Sequence, residues 1–419
     1  MILIVYLLMQ LFKPRDENKF QVTYLPEFEG IRGISCLMII VVHFQGFFIR
    51  APYSIGYALM HLFYMMSSYL IVRNLIAQKS KGQSAKQYFK NFYVKRALRI
   101  FPVYFFYIFF VIFLVFGLNK ILHGKLHMLW VDVKESLPFL FTFTFNLKDT
   151  YAFFISQHYI PSLFFHHLWS VSIEEQFYLI IPFVVYFINL KNLRKLTVFL
   201  ILLFPLIRVA GFYYFWDNPH LDVFEKEKYD LLMGIMYRST YFHFDTFMYG
   251  IFVLLFSFEK PKYLKWFTIG FILILFLTSL LYGVHLAHIH HENLLKYFQY
   301  RGVEIHGMQF NYIDLVLNII CILIMYASLN GTLPKFVTNE FFVETGRISY
   351  GLYVYQYLVL MPFIAINLFL HNKLHQPLIS VLIELIFISI ILVSLRWLAK
   401  LSYYKMELPI INLKNKILK

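Results

Sequence analysis

The stretch EGIRGISCLMIIVVHF, residues 29–44, governs how the rest of the chain is read. It begins like a membrane helix, yet it carries Arg32 near one end and His43 deep in an apolar run. The two are eleven residues apart. On a helix that is about 16 Å of rise and close to three turns, so both side chains share a face. Ionisable groups inside a bilayer are expensive and face a partner or a cavity where they occur. An arginine at a helix end snorkels cheaply. A histidine past mid-membrane does not. It reads either as a neutral ring satisfied by one hydrogen bond or as a general base, and the second suits this depth better.

Composition widens the membrane reading to the whole chain. Of 419 residues, 60% are hydrophobic, 21% aromatic and only 15% charged, and mean hydropathy is +0.63. A soluble domain is about 45–50% apolar and about 25% charged. Cys36 and Cys321 both lie in apolar runs and imply no disulfide framework. Residues 1–12, MILIVYLLMQLF, lack a basic start and a small-residue cleavage site, so they are not read as a signal peptide and are expected along the interface.

With about 20 apolar residues needed per span, spans fall near 33–50, 57–72, 100–119, 168–189, 196–216, 239–258, 266–283, 312–330, 346–370 and 378–399. The piece 137–145 is too short and is left as re-entrant or superficial. Alternating the loops from a cytoplasmic N-terminus puts about two thirds of the 38 Lys and Arg inside, including the whole acid-free segment 73–99. The expected fold is therefore an all-α polytopic membrane protein of about ten transmembrane helices, both termini cytoplasmic, in one domain over 1–419. The net charge of +15 is then mostly a membrane-facing feature, and no basic soluble domain exists to bind nucleic acid.

Few ionisable residues fall inside the spans. Singled out among them, beside Arg32 and His43, are Glu174, Glu175, Arg208, His243, Asp245 and Glu384. A lone Glu384 reads as helix pairing, whereas the others cluster in depth and read as a site.

Seven segments, in order, resemble the acyltransferase-3 family of membrane O-acyltransferases. FEGIRGISCLMIIVVHF at 28–44 is similar to its opening motif, with the Arg, ten residues, His spacing on Arg32 and His43. The others are LFYMMSSYLIV (62–72), FYVKRALRIFPVYFF (92–106), HLWSVSIEEQFYLIIPF (167–183), RSTYFHFDTFMYG (238–250), GRISYGLYVYQ (346–356) and SYYKMELP (402–409). Four positions depart from the family pattern: His61 stands for an acid, Ser68 for a glycine, His243 for an arginine and Gln356 for a histidine. Some members carry an esterase-like domain after the membrane part, and none is expected after Lys419.

The resemblance implies acyl transfer, commonly of acetyl, from acyl-coenzyme A to a sugar hydroxyl of an exported or cell-surface polysaccharide, at the bacterial cytoplasmic membrane. It implies no permanently bound cofactor and no metal. The partners it implies are acyl-coenzyme A as donor, a glycan or lipid-linked sugar as acceptor, and membrane lipid. His43 is then the base, with Glu174 or Glu175 orienting it. Arg32, Arg96 and Arg99 would hold the donor's phosphates, since guanidinium forks suit phosphate oxygens. His167, Trp169, Tyr178, Arg208 and Asp245 would meet the acceptor, with Trp169 reading equally as an interfacial belt residue. Ser170 and Ser172 read as acyl carriers or, better, as helix-start caps. Succinyl transfer to a glucan, and a non-enzymatic transporter or flippase, stay open as alternatives. The absence of inverted repeats and paired broken helices counts against the latter.

Overall fold

Why the glycines of EGIRG flank Arg32 is answered by packing. A computed structural model describes residues 12–15, 20, 24–44, 53–156, 162–216, 235–258, 308–371 and 377–418, with single positions 266, 270, 273 and 277. Helix α1, Pro26–Phe44, carries both Arg32 and His43. A short amphipathic helix near the other end of the chain, Glu340–Arg347, lies across its first half. A Cβ added at Gly30 would sit 1.8 Å from the Val337 carbonyl oxygen, and one at Gly33 would sit 2.1 Å from that of Phe342. In return, a Cβ at Gly346 would sit 1.9 Å from the Glu29 carbonyl oxygen. Three glycines from two distant motifs thus let two backbones touch.

We expect Gly33→Ala to displace the crossing helix, because the clash is with backbone rather than a flexible side chain. Overpacking of this kind costs about 1–3 kcal/mol, read as a lower melting temperature in detergent. Gly117→Ala is the control, since its Cβ meets nothing within 4 Å. Equal melting of the two variants would remove the close-approach explanation.

The remaining helices are, in order, α2 Tyr53–Lys79, α3 Ala85–Ile121, α4 His127–Phe141, α5 Trp169–Phe187, α6 Leu190–Trp216, α7 Thr240–Leu255, α8 Met308–Leu329, α9 (the crossing helix Glu340–Arg347), α10 Ser349–His371 and α11 Pro377–Ser402. Helix α1 packs on α2, α9 and α10, and α2 packs in turn on α5, α7 and α8. The only sheet among the described residues is a two-stranded antiparallel clip, β1 Phe12–Pro14 with β2 Phe256–Phe258, in register Phe12 to Phe258.

The apolar surface is turned outward. Phe106, Phe109, Phe110 and Phe113 stand exposed on α3, as do Leu385, Ile386, Ile390 and Val393 on α11. So large an exposed apolar face belongs against lipid. Four helical stretches among the described residues are long and apolar enough to cross a membrane: Ala85–Ile121, His166–Phe187, Ser349–Leu370 and Ile379–Ile417.

Two features differ from the sequence expectation, and some expected elements fall outside the described residues. The basic segment 73–99 is mostly helix, broken only by a turn at 80–84 where Gly82 takes a left-handed φ of 66° and Ser84 caps Gln87 N at 3.3 Å. Residues 127–141, read as polar loop running into a short apolar piece, form one helix, α4. One of its two acids is interior: buried Asp132 receives Lys148 Nζ at 2.9 Å, Ser136 at 3.1 Å and Ser162 at 3.1 Å. The chain then turns at Phe143 (φ 53°) and descends again, burying Phe145 and Asn146. The expected span 266–283 lies almost wholly outside the described residues, as do residues 45–50 of the first span and most of 217–238 and 284–311.

Candidate active site

His43 sits in the last turn of α1, half-buried. Its Nδ1 lies 2.8 Å from Gln356 Oε1 on α10, and its ring meets that of Tyr357 edge-on with centroids 5.7 Å apart. His167 lies close by, fully buried, on the three-residue turn that leads into α5. A carbonyl only accepts, so His167 Nε2–H donates to Val354 O, at 3.0 Å, and the ring stacks on Tyr357 at 4.6 Å.

From this end a line of buried polar groups runs along α5 toward the arginines. Tyr353 donates to His167 O at 2.7 Å and lies 2.7 Å from Ser170 Oγ. Further on, Ser67 of α2 and Tyr178 share a 2.6 Å hydrogen bond. Glu174 faces that pair and lies within electrostatic reach of Arg32 and Arg96. Glu175 is beside it, with one buried carboxylate oxygen that has no partner. Arg96 lies over the Tyr178 ring, its carbon 5.3 Å from the centroid. Arg99 is in reach of Arg32 and Arg96, and also of Glu29 and Glu407. Glu407 closes a π-helical segment, Tyr403–Glu407, and accepts from Ser402 at 3.2 Å. Such π turns often mark functional places.

The three arginines are therefore one cluster, as the helical spacing suggests. Glu174 and Glu175, expected at the outer end of their span with His243 and Asp245, lie instead with these arginines. The reason is local. Phe165, His167 and Leu168 are already buried before α5 begins, so the helix starts inside the protein. Glu174 is then about 7 Å further in. His43 Nδ1 meets Gln356 and neither carboxylate.

Trp169 is 7% exposed and stacked on His243 at 5.6 Å, so it is a core residue and not a belt residue. Ser172 donates back to Leu168 O at 3.3 Å and Ser170 to His167 O at 3.3 Å, so neither caps the helix, whose N-cap position is Leu168 with no side-chain cap bond. Glu384 is buried and accepts from Asn367 at 3.0 Å, a pairing between α10 and α11.

Arg208 and Asp245 belong to a second, sealed cluster. Arg208 is 1% exposed and Asp245 is 0% exposed. Arg208 bridges Asp245 and Asp314, the latter at 2.9 Å, and also bonds Phe242 O. His61 lies 3.7 Å from Asp314. Asp314 was not singled out from the sequence, because it is a lone acid in the first half of an apolar helix with no motif around it. Asp314, on α8, is thus the acid that lies beside His61, the residue standing where the family pattern has an acid. The Ser68 departure is met by Gly250, where a Cβ would lie 2.1 Å from Ser68 Oγ. Among the described residues no group of His, Cys, Asp or Glu is placed to hold a metal.

Comparison with known proteins identifies the family. The acyltransferase-domain profile of the acyltransferase-3 family matches residues 25–398. The peptidoglycan O-acetyltransferase OatA of Listeria monocytogenes is 30% identical over 187 residues, 43% of this chain and 28% of that protein. The O-acetyltransferase OatA of Staphylococcus aureus is 26% identical over 176 residues, 42% of this chain and 27% of that protein. A putative O-acetyltransferase of Staphylococcus aureus is 26% identical over 161 residues, 38% of this chain and 24% of that one. These matches span about a quarter of the length of each relative. No solved structure matches. With the family profile covering nearly the whole chain, from ahead of Arg32 into α11, this helical membrane protein belongs to the acyltransferase-3 family of acyltransferases.

Proposed function

We propose that the chain transfers an acyl group, acetyl foremost, from acyl-coenzyme A to a hydroxyl of a cell-wall or other surface glycan. It would do so as a single domain in the bacterial cytoplasmic membrane, crossing it about ten times with both termini inside. The observation that carries this reading is the line of buried polar groups joining the arginine cluster to His43. The names of the similar proteins support acetyl as the group and a glycan as the acceptor.

In this reading Arg32, Arg96 and Arg99 take the donor's phosphates at the cytoplasmic face, and the thin pantetheine arm follows the polar line inward. The acceptor hydroxyl approaches from the histidine end. His43 Nε2 removes its proton as the oxygen attacks the thioester carbonyl. The tetrahedral intermediate then collapses: the C–S bond breaks, and the thiolate takes the proton back from the imidazolium. The products are an O-acyl ester and coenzyme A thiol. Glu174 and Glu175 sit too near the arginines to orient His43. They are better suited to setting the charge of the donor site, where Arg96 serves both carboxylates. His167 and Tyr178 belong to the polar line between the two ends, and Trp169 packs against His243.

The test is mass spectrometry of surface glycans from cells with and without the gene. The expected result is alkali-labile acetyl on a sugar hydroxyl, present only with the gene. A succinyl mass would move the donor, and unchanged glycans would overturn the reading.

A further inference from the structure

Gln356 is wholly buried on α10, and its two polar atoms are treated differently. Oε1 lies 2.8 Å from His43 Nδ1, whereas Nε2 is buried with no partner. An unpartnered buried donor is destabilising, so a leucine or methionine would serve the fold better if packing were all the position required. The oxygen must then matter for what it accepts. An amide oxygen cannot donate, so Nδ1–H donates to Oε1. A proton fixed on Nδ1 leaves the lone pair on Nε2.

We propose that Gln356 is the positioning residue for His43, holding the tautomer and ring orientation in which Nε2 can take a proton from the acceptor. The inference rests on the reading of His43 as the base. It goes beyond that reading in naming what makes the imidazole competent, a role the sequence assigns to Glu174 or Glu175. An amide has no ionisation in the working range. The tautomer of the neutral His43 ring is therefore set without depending on the ionisation of its partner. This gives the departure of Gln356 from the family's histidine a physical consequence.

The experiment uses the full chain in native membranes with acetyl-coenzyme A as probe, following release of coenzyme A thiol. Gln356→Leu removes the acceptor oxygen and is expected to lower kcat by about 10- to 100-fold, the size of effect seen when the hydrogen-bond partner that orients a metal-bound imidazole is lost, with the donor KM little changed. Gln356→Glu and Gln356→His each keep an acceptor atom and are expected to stay above Gln356→Leu. The His variant should also add a second ionisation to the acid limb of the pH–rate profile, which a packing role would not do. Wild-type kcat in Gln356→Leu, or equal loss in all three variants, overturns the inference. His43→Ala is run in parallel to separate the failures. If it is inactive while Gln356→Leu is normal, the base stands and the positioning role falls. If it is fully active, both fall.

Discussion

His43→Ala is expected to lower acyl transfer by about 10²–10⁴-fold, the range a positioned general base supplies, with insertion and folding unchanged. The fold does not depend on this side chain. Helix α1 is locked at its other end by Gly30 and Gly33 against the α9 region, and its buried face is Phe28, Ile39, Ile40 and Phe44. The His43 ring is half-buried, with Gln356 as its hydrogen-bond partner and one edge of Tyr357 against it. Truncation therefore removes chemistry more than packing. Initial rates of coenzyme A release from acetyl-coenzyme A, normalised to the amount of folded protein, check this. A rate within a few-fold of wild type would remove His43 from the mechanism. Arg32→Ala should behave differently. It lies at the far end of the same helix, in the arginine cluster, so its loss should appear in the donor KM.

The helices and the arginine cluster were legible in the sequence because they rest on short-range rules. Apolar runs of about 20 residues mark spans. Arg96 and Arg99, three apart on a helix, must share a face. Arg32 and His43, three turns apart, must share one too. What the sequence did not reveal rests on tertiary contacts between distant segments. Depth counted from a helix start placed Glu174 and Glu175 outside, but the helix start is itself buried by Phe165, His167 and Leu168. Helix α4 was hidden by Asp132, Lys134 and Glu135, which break the apolar pattern. Asp132 nevertheless faces inward to Lys148. Gln356 stood out only as a departure from a motif, and nothing local announces that it meets a residue 313 positions away. The glycines of EGIRG could be seen, but their partners, the carbonyls of Val337 and Phe342, could not.

The sealed cluster around Arg208 gives the second large effect. The sequence suggested that Arg208 and Asp245 bind the acceptor. In the structure both are interior and bound to each other, with Asp314 completing the set. A guanidinium shared by two buried carboxylates is a connection among three helices, α6, α7 and α8. Removing it strands two acids in an apolar interior. Breaking a buried pair typically costs about 3–5 kcal/mol, whereas replacing the whole set by apolar groups of similar volume is often neutral. We therefore expect Arg208→Met alone to reduce the yield of folded protein severely. The triple variant Arg208→Met, Asp245→Leu, Asp314→Leu should recover most of it. Size-exclusion profiles and thermal melts of detergent-purified protein measure both. The activity of the triple variant then separates the two roles. If the cluster only joins helices, coenzyme A release from acetyl-coenzyme A returns together with folding. If Arg208 and Asp245 hold the acceptor, folding returns without transfer to glycan. A single Arg208→Met that folds normally and raises only the acceptor KM would overturn the structural role outright.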